Sequence, residues 1–115
     1  MRIELTLDCV DLDATATFWE RALHYRREGV IDGRFVALAG DGPALTLQRV
    51  PEPKSVKNRL HLDLLVADVD SEVARLEALG ATRITREARE EFGQRWLVLA
   101  DPEGHEFCVA HDPLL

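Results

Sequence analysis

The sequence predicts an α+β fold built from two tandem β-α-β-β-β modules, on the strength of three observations. The first is the run Asn58-Arg59-Leu60-His61-Leu62-Asp63-Leu64-Leu65-Val66-Ala67-Asp68. Leu60, Leu62, Leu64 and Val66 fall on one side of an extended strand there, and His61 and Asp63 on the other. The second is that the N-terminus repeats this run. With residues 3–13 set beneath 60–70, Ile3, Leu5 and Leu7 match Leu60, Leu62 and Leu64. Glu4 then falls under His61, Thr6 under Asp63, Asp8 under Leu65, Asp11 under Asp68 and Asp13 under Asp70. A period of half the chain in only two copies describes a pseudo-symmetric pair, not a solenoid. The third is turn chemistry. Asp32-Gly33 is a hairpin signal in the first half, and Asp101-Pro102-Glu103-Gly104 suits a type I turn in the second.

Taken in order, strand one spans residues 2–9. Asp13 is the expected N-cap of a helix reaching Leu23, with Ala14, Phe18 and Ala22 on one face and Trp19 and Leu23 beside them. Strands over 24–30 and 34–39 flank Asp32-Gly33, and Gly40-Asp41-Gly42-Pro43 makes the next turn. In the strand over 44–50, Leu45, Leu47 and Arg49 alternate with Thr46, Gln48 and Val50. The polar, proline-punctuated stretch 51–57 reads as a linker between module one (1–50) and module two (58–115) of a single domain. Module two repeats the order. A helix over 71–79 is expected after an Asp70 cap, with Glu72 in its first turn, a stripe of Val73, Leu76 and Leu79, and Gly80 as its C′ residue. A short strand over 82–87 follows, then a solvated charged edge or loop over 86–91, and strands over 96–100 and 105–110.

The bulk properties narrow the function classes. At 115 residues the chain can bury roughly two-thirds of its unfolded surface without staples. A net charge of −7 argues against a nucleic-acid partner, since a phosphate backbone calls for clustered Lys and Arg. No apolar run has the length of a membrane span, so no membrane partner is expected. No charged-then-apolar leader precedes the first strand, so a signal peptide is not expected. Two cysteines without framework spacing suit a reduced, cytoplasmic protein.

With the repeat and turns in place, the chain resembles the vicinal oxygen chelate superfamily of glyoxalases, extradiol dioxygenases, and bleomycin- and fosfomycin-resistance proteins. Within it the chain is most similar to the small glyoxalase-like domain group. The likeness rests on Leu7-Asp8-Cys9-Val10-Asp11 followed by Phe18-Trp19, on residues 57–64, on Leu79-Gly80-Ala81, and on residues 101–109. It implies two modules whose sheets curl into a half-barrel around an open cleft, and a homodimer. It also implies metal ligands from the first and last strands of each module, positions that hold Glu4, Gln48, His61 and Cys108 here. The family's usual set is two histidines and one or two glutamates, so this chain departs from it. Zinc accepts imidazole, thiolate and carboxylate, and is the divalent ion most compatible with His61, Cys108 and Glu4. A ferrous facial triad needs two histidines, which disfavours extradiol chemistry.

On the same alternation Glu4, Thr6, Asp8, Gln48, His61, Asp63, Glu106 and Cys108 face that cleft. Such a polar, mostly acidic lining favours a cationic or hydrogen-bond-donating small molecule. His61, bonded to a neighbouring acid, is the candidate general base, with Asp63 and Glu106 assisting. Thr6, Asp8 and Trp96 are the candidate ligand contacts. Simpler readings stand beside these. His61 serves equally well as a structural histidine bonded to Asp63, and Cys108 as a small core residue. Cys9, Phe18 and Trp19 read as core, and Trp96 suits either role. His24 reads as a turn cap in a left-handed conformation, while His105 and His111 belong to a turn and a chain end. Two function classes follow: a glyoxalase-like enzyme of lyase or isomerase type acting in the inter-module cleft, and a metal-free protein of bleomycin-resistance type that sequesters a small compound. A binding domain without turnover is the third.

Overall fold

Each half of the repeat folds into its own sheet with one helix, in a computed structural model that describes residues 2–91 and 93–115. Module one comprises β1 (Glu4–Cys9), α1 (Leu12–Leu23), β2 (Arg26–Ile31), β3 (Phe35–Ala39) and β4 (Ala44–Arg49). Module two comprises β5 (Asp63–Val66), α2 (Val69–Ala78), β6 (Thr82–Arg83), β7 (Arg89–Glu91), β8 (Gln94–Ala100) and β9 (Glu106–His111). The strand orders are β1-β4-β3-β2 and β5-β9-β8-β6, with β7 also pairing β8. In both sheets the first strand runs parallel to the last and the other pairs are antiparallel. The chain divides into two compact units, Met1–Ser55 and Val56–Leu115. The expected strand over 82–87 is cut short at Arg83, and part of the charged run pairs as β7. Arg89, Glu90 and Glu91 are all exposed, so this is a charged edge strand of the kind that resists pairing with another chain.

Both helix starts lie two residues earlier than expected. Asp11, not Asp13, caps α1, its carboxylate accepting from the Ala14 amide at 3.0 Å. Asp68, not Asp70, caps α2, accepting from the Ser71 amide at 3.1 Å. The two Asp-x-Asp motifs are therefore used alike. The first aspartate satisfies an orphan backbone donor, and the second sits in the first turn at the positive end of the helix dipole. That second aspartate is also tied to a strand in each module. Asp13 pairs with Arg27, and Asp70 with Arg95, both at 2.9 Å.

Ala14, expected on the core face of the helix, is exposed. Thr15, Ala16, Phe18, Trp19 and Ala22 are the buried residues of α1. Phe18 and Trp19 meet edge to face with centroids 5.1 Å apart. The core of module one adds Cys9, Val36, Leu38, Leu45 and Leu47. In module two Val69, Val73 and Leu76 of α2 are buried, as are Leu97, Leu99, Phe107 and Val109 of the sheet.

Turn chemistry follows the sequence closely. His24 ends α1 in the left-handed region at φ 57°, ψ 39°. Gly80 ends α2 at φ 115°, where the Gly80 amide donates to Glu77 and the Ala81 amide to Leu76, the two bonds of a Schellman motif. Asp32 and Gly33 both take positive φ, as a type I′ hairpin requires. At the β8–β9 turn the Gly104 amide donates to the Asp101 carbonyl at 2.9 Å. The buried Asp101 carboxylate accepts from the Glu103 and His105 amides and lies 2.8 Å from His105 Nδ1. Among the described residues, no helix is long and apolar enough to cross a membrane.

Candidate functional site

Alternation along each strand sends every second side chain to the core and leaves the others on the opposite face of its sheet. In module two that second face begins just ahead of β5. The Cys108 amide donates to the Leu62 carbonyl at 2.9 Å, which extends the parallel pairing past the end of the strand. His61 and Asp63 then stand two residues apart on one side. The register sets Cys108 opposite Asp63, Ala110 opposite Leu65, and Trp96 opposite Ala110. His61, Asp63, Leu65, Gln94, Trp96, Cys108 and Ala110 line a hollow of about 230 Å³.

The reactive groups of this hollow converge. His61 Nδ1 lies 3.1 Å from Asp63 Oδ1, with both side chains about half exposed. The donor atoms of His61, Asp63 and Cys108 all lie within 4.8 Å of one another. Burial pushes the Cys108 thiol from its ordinary 9.0 up to about 11; the Asp63 charge and a hydrogen bond to it push the same way, and Lys57 pulls against them. Cys108 is therefore a neutral thiol near pH 7.

The remaining candidates are placed differently. Glu106 is half-buried on β9, and its carboxylate accepts from the Asn58 amide at 2.8 Å, holding the chain just ahead of His61. It does not line the hollow. In module one, Glu4, Thr6 and Asp8 share one face of β1, opposite Ala44, Thr46 and Gln48. Glu4 and Gln48 thus lie at ladder positions four residues apart, roughly 13 Å along the sheet, and are not brought together. Glu4 pairs instead with Arg2 at 3.0 Å. It lines a broader hollow of about 650 Å³ with Ile31, Phe35, Ala37, Ala39 and Thr46, a lining that leaves out Asp8 and Gln48.

Of the four positions expected to hold a metal, the structure joins His61 with Cys108 and adds Asp63, read from the sequence as an assisting acid. Ligands of a tetrahedral zinc ion stand roughly 3.5 Å apart, so an imidazole, a carboxylate and a thiol within this span fit such an ion after side-chain shifts of about 1 Å. Sequence reasoning missed Leu65, Gln94, Ala110 and Lys57. The first three were within reach, because each follows or precedes a chosen residue by two. Lys57, which acts on Cys108 through its charge, carries no such signal.

The sequence profile of the glyoxalase-like domain family matches residues 4–110. No curated protein matches the chain. Among solved structures, a glyoxalase/bleomycin resistance protein/dioxygenase family enzyme from Burkholderia phytofirmans is similar with a TM-score of 0.79 at 20% identity, covering 94% of this chain and 95% of that one. A lactoylglutathione lyase from Agrobacterium tumefaciens is similar with a TM-score of 0.71 at 21% identity, covering 99% and 95%. A mutant of the fosfomycin resistance protein FosX from Listeria monocytogenes, complexed with Mn(II) and 1S,2S-dihydroxypropylphosphonic acid, is similar with a TM-score of 0.78 at 17% identity, covering 92% and 85%. At these identities the likeness is one of fold.

Proposed function

The chain belongs to the glyoxalase-like domain family, and from that premise we propose that it is a small-molecule enzyme of lyase or isomerase type. Its reaction centre in this proposal is the hollow of module two. The observation that carries the reading is the His61 Nδ1 to Asp63 Oδ1 contact of 3.1 Å. With the proton on Nδ1 donated to the carboxylate, Nε2 keeps its lone pair and takes a proton from a bound substrate. Asp63 then stabilises the imidazolium that forms and holds the ring in orientation. Leu65, Trp96 and Ala110 supply an apolar wall for the substrate beside that base. Glu106 acts at one remove, by fixing Asn58 and so the approach to His61. In place of that proton transfer, a divalent ion held by His61, Asp63 and Cys108 would supply polarisation of a substrate oxygen, the imidazole then serving as ligand and not as base.

The test is turnover of thiol adducts and vicinal oxygen compounds by the full chain. His61→Ala should lower it by about 100-fold or more with folding intact, and Asp63→Asn by about 10-fold. Turnover unchanged in His61→Ala would sink the proposal. The apolar wall of Leu65, Trp96 and Ala110 supports a second reading, metal-free sequestration of a small compound. That reading expects thermal stabilisation by a ligand, lost in His61→Ala, with no turnover. A homodimer, as the family implies, belongs to either reading and is checked by light scattering.

A further inference from the structure

We propose that the hollow of module two takes a small anionic molecule, a carboxylate or a comparable oxyanion, and that the Lys57 ammonium at its edge is the group that recognises it. The acid-rich lining suggested by the sequence is not assembled there. Glu4 pairs with Arg2 in module one. The Glu106 carboxylate is taken up by the Asn58 amide at 2.8 Å and lies outside the hollow. Among the described residues, Asp63 is the one carboxylate in the lining, and His61 Nδ1 already stands 3.1 Å from it.

The backbone brings a cation to the same place. Side chains alternate along β9, so Glu106, Cys108 and Ala110 share the open face, with Glu106 two residues, roughly 6.6 Å, along the strand from Cys108. The Glu106 bond to the Asn58 amide therefore anchors the incoming chain beside the thiol. Lys57 is next to that anchor. A lysine side chain reaches roughly 6 Å from its backbone, enough to bring the ammonium to the mouth of the hollow. The Cys108 thiol feels the Lys57 charge, which pulls against burial and Asp63. Lys57 is exposed, and among the described residues it has no ion-pair partner, so its ammonium is available to a ligand. In a chain of net charge −7, such a local cation is what lets an anion approach. Leu65 and Trp96 receive the apolar remainder of the molecule. The role of that molecule as substrate rests on the proton-transfer reading: its acidic C–H meets His61 Nε2 while its charged group stays on Lys57. Anion binding by itself needs no turnover.

The experiment alkylates Cys108 in the reduced full chain with iodoacetate and, separately, with iodoacetamide, and follows modification by mass spectrometry. The two reagents differ in charge, so the ratio of their rates reads the field at the hollow and cancels the reactivity of the thiol itself. Lys57→Gln should lower the iodoacetate-to-iodoacetamide ratio by about 3- to 5-fold, the worth of a charge pair roughly 8 Å apart in a wet cleft. Lys57→Arg should keep the ratio within about 2-fold of the parent, and Asp63→Asn should raise it by about 2-fold or more. Arg59→Gln removes the same charge from an exposed neighbour that does not act on Cys108, and should leave the ratio within about 2-fold. Salt should shrink the Lys57→Gln effect. Buried Cys9 serves as the internal control. An unchanged ratio in Lys57→Gln overturns the proposal, and so does an equal fall in Arg59→Gln, which would make the effect one of net charge. Since no catalysis is read, the turnover of His61→Ala bears on the proton-transfer reading alone.

Discussion

Module one and module two share a strand order, a helix capped by the first aspartate of an Asp-x-Asp, and an arginine on a strand that holds the second. On the faces their helices leave open they differ. Module one offers a hollow of about 650 Å³ whose floor is largely Ala37, Ala39 and Ala44, with Ile31 and Phe35 beside it. Module two offers about 230 Å³, with an imidazole, a carboxylate and a thiol side by side. Where module two has His61, Asp63 and Cys108, the same ladder positions in module one hold Glu4, Thr6 and Thr46. One backbone plan has thus been filled once with shape and once with reactivity, which is how a fold hosts chemistry without dictating it.

The comparison is sharpest in the cores. Trp19 of module one and Phe107 of module two are both almost wholly buried. Trp19→Ala and Phe107→Ala should each cost about 3–5 kcal/mol, measured by urea denaturation followed by circular dichroism. A cost below about 1 kcal/mol at either site would break the equivalence of the two cores.

The turns before the last strands should separate the modules. Asp101→Ala removes a buried carboxylate that accepts from two amides and the His105 ring, so a loss of about 2–3 kcal/mol is expected. Tyr25→Phe removes one exposed bond, from the Tyr25 hydroxyl to the Pro43 carbonyl, and should cost about 0.5–1 kcal/mol by the same measurement. The caps should bring the modules level again. Asp11→Ala and Asp68→Ala are each expected to lose about 1 kcal/mol. A cost at one cap alone would mean that the repeated motif is used in only one of its copies.

The last difference, a pH dependence at module two, shows only in alkaline solution. The Cys108 pKa is raised in the folded chain, so the folded state holds that proton more tightly than the unfolded one. Its contribution to stability is fully present below about 9.0 and fades as pH rises through about 11. Thermal denaturation across that window should fall less steeply in Cys108→Ser than in the parent. Equal slopes would show that the thiol is not held as described.

Much of the fold was legible because its signals are local. The alternation of residues 60–66 and the turn preferences of Asp32-Gly33, His24 and Gly80 depend on neighbouring φ and ψ. The turns appear as expected, and the alternation holds from His61 to Val66, whereas Leu60 is exposed ahead of β5, which begins at Asp63. The caps were misjudged by two residues because both aspartates of each motif are competent. The choice falls to the point where the chain leaves its strand. The charged run was read as a solvated edge or loop, and three of its residues do form an edge strand.

The candidate site was legible in its members but not in its grouping. His61 and Asp63 could be joined from the sequence, since a spacing of two puts both on one side of a strand. Cys108 and Gln48 could not be told apart, because each lies on the polar parity of a last strand. By itself, then, the amino-acid sequence determined the two modules, the faces of their strands, their turns and the His61–Asp63 pair. Period and backbone preference act over a few residues and need no partner. Only the tertiary structure decided that Cys108 meets that pair while Gln48 lies far along the ladder from Glu4. Strand register is a long-range choice, made when whole hydrophobic faces pack, and one shift along the ladder would have assembled a different site.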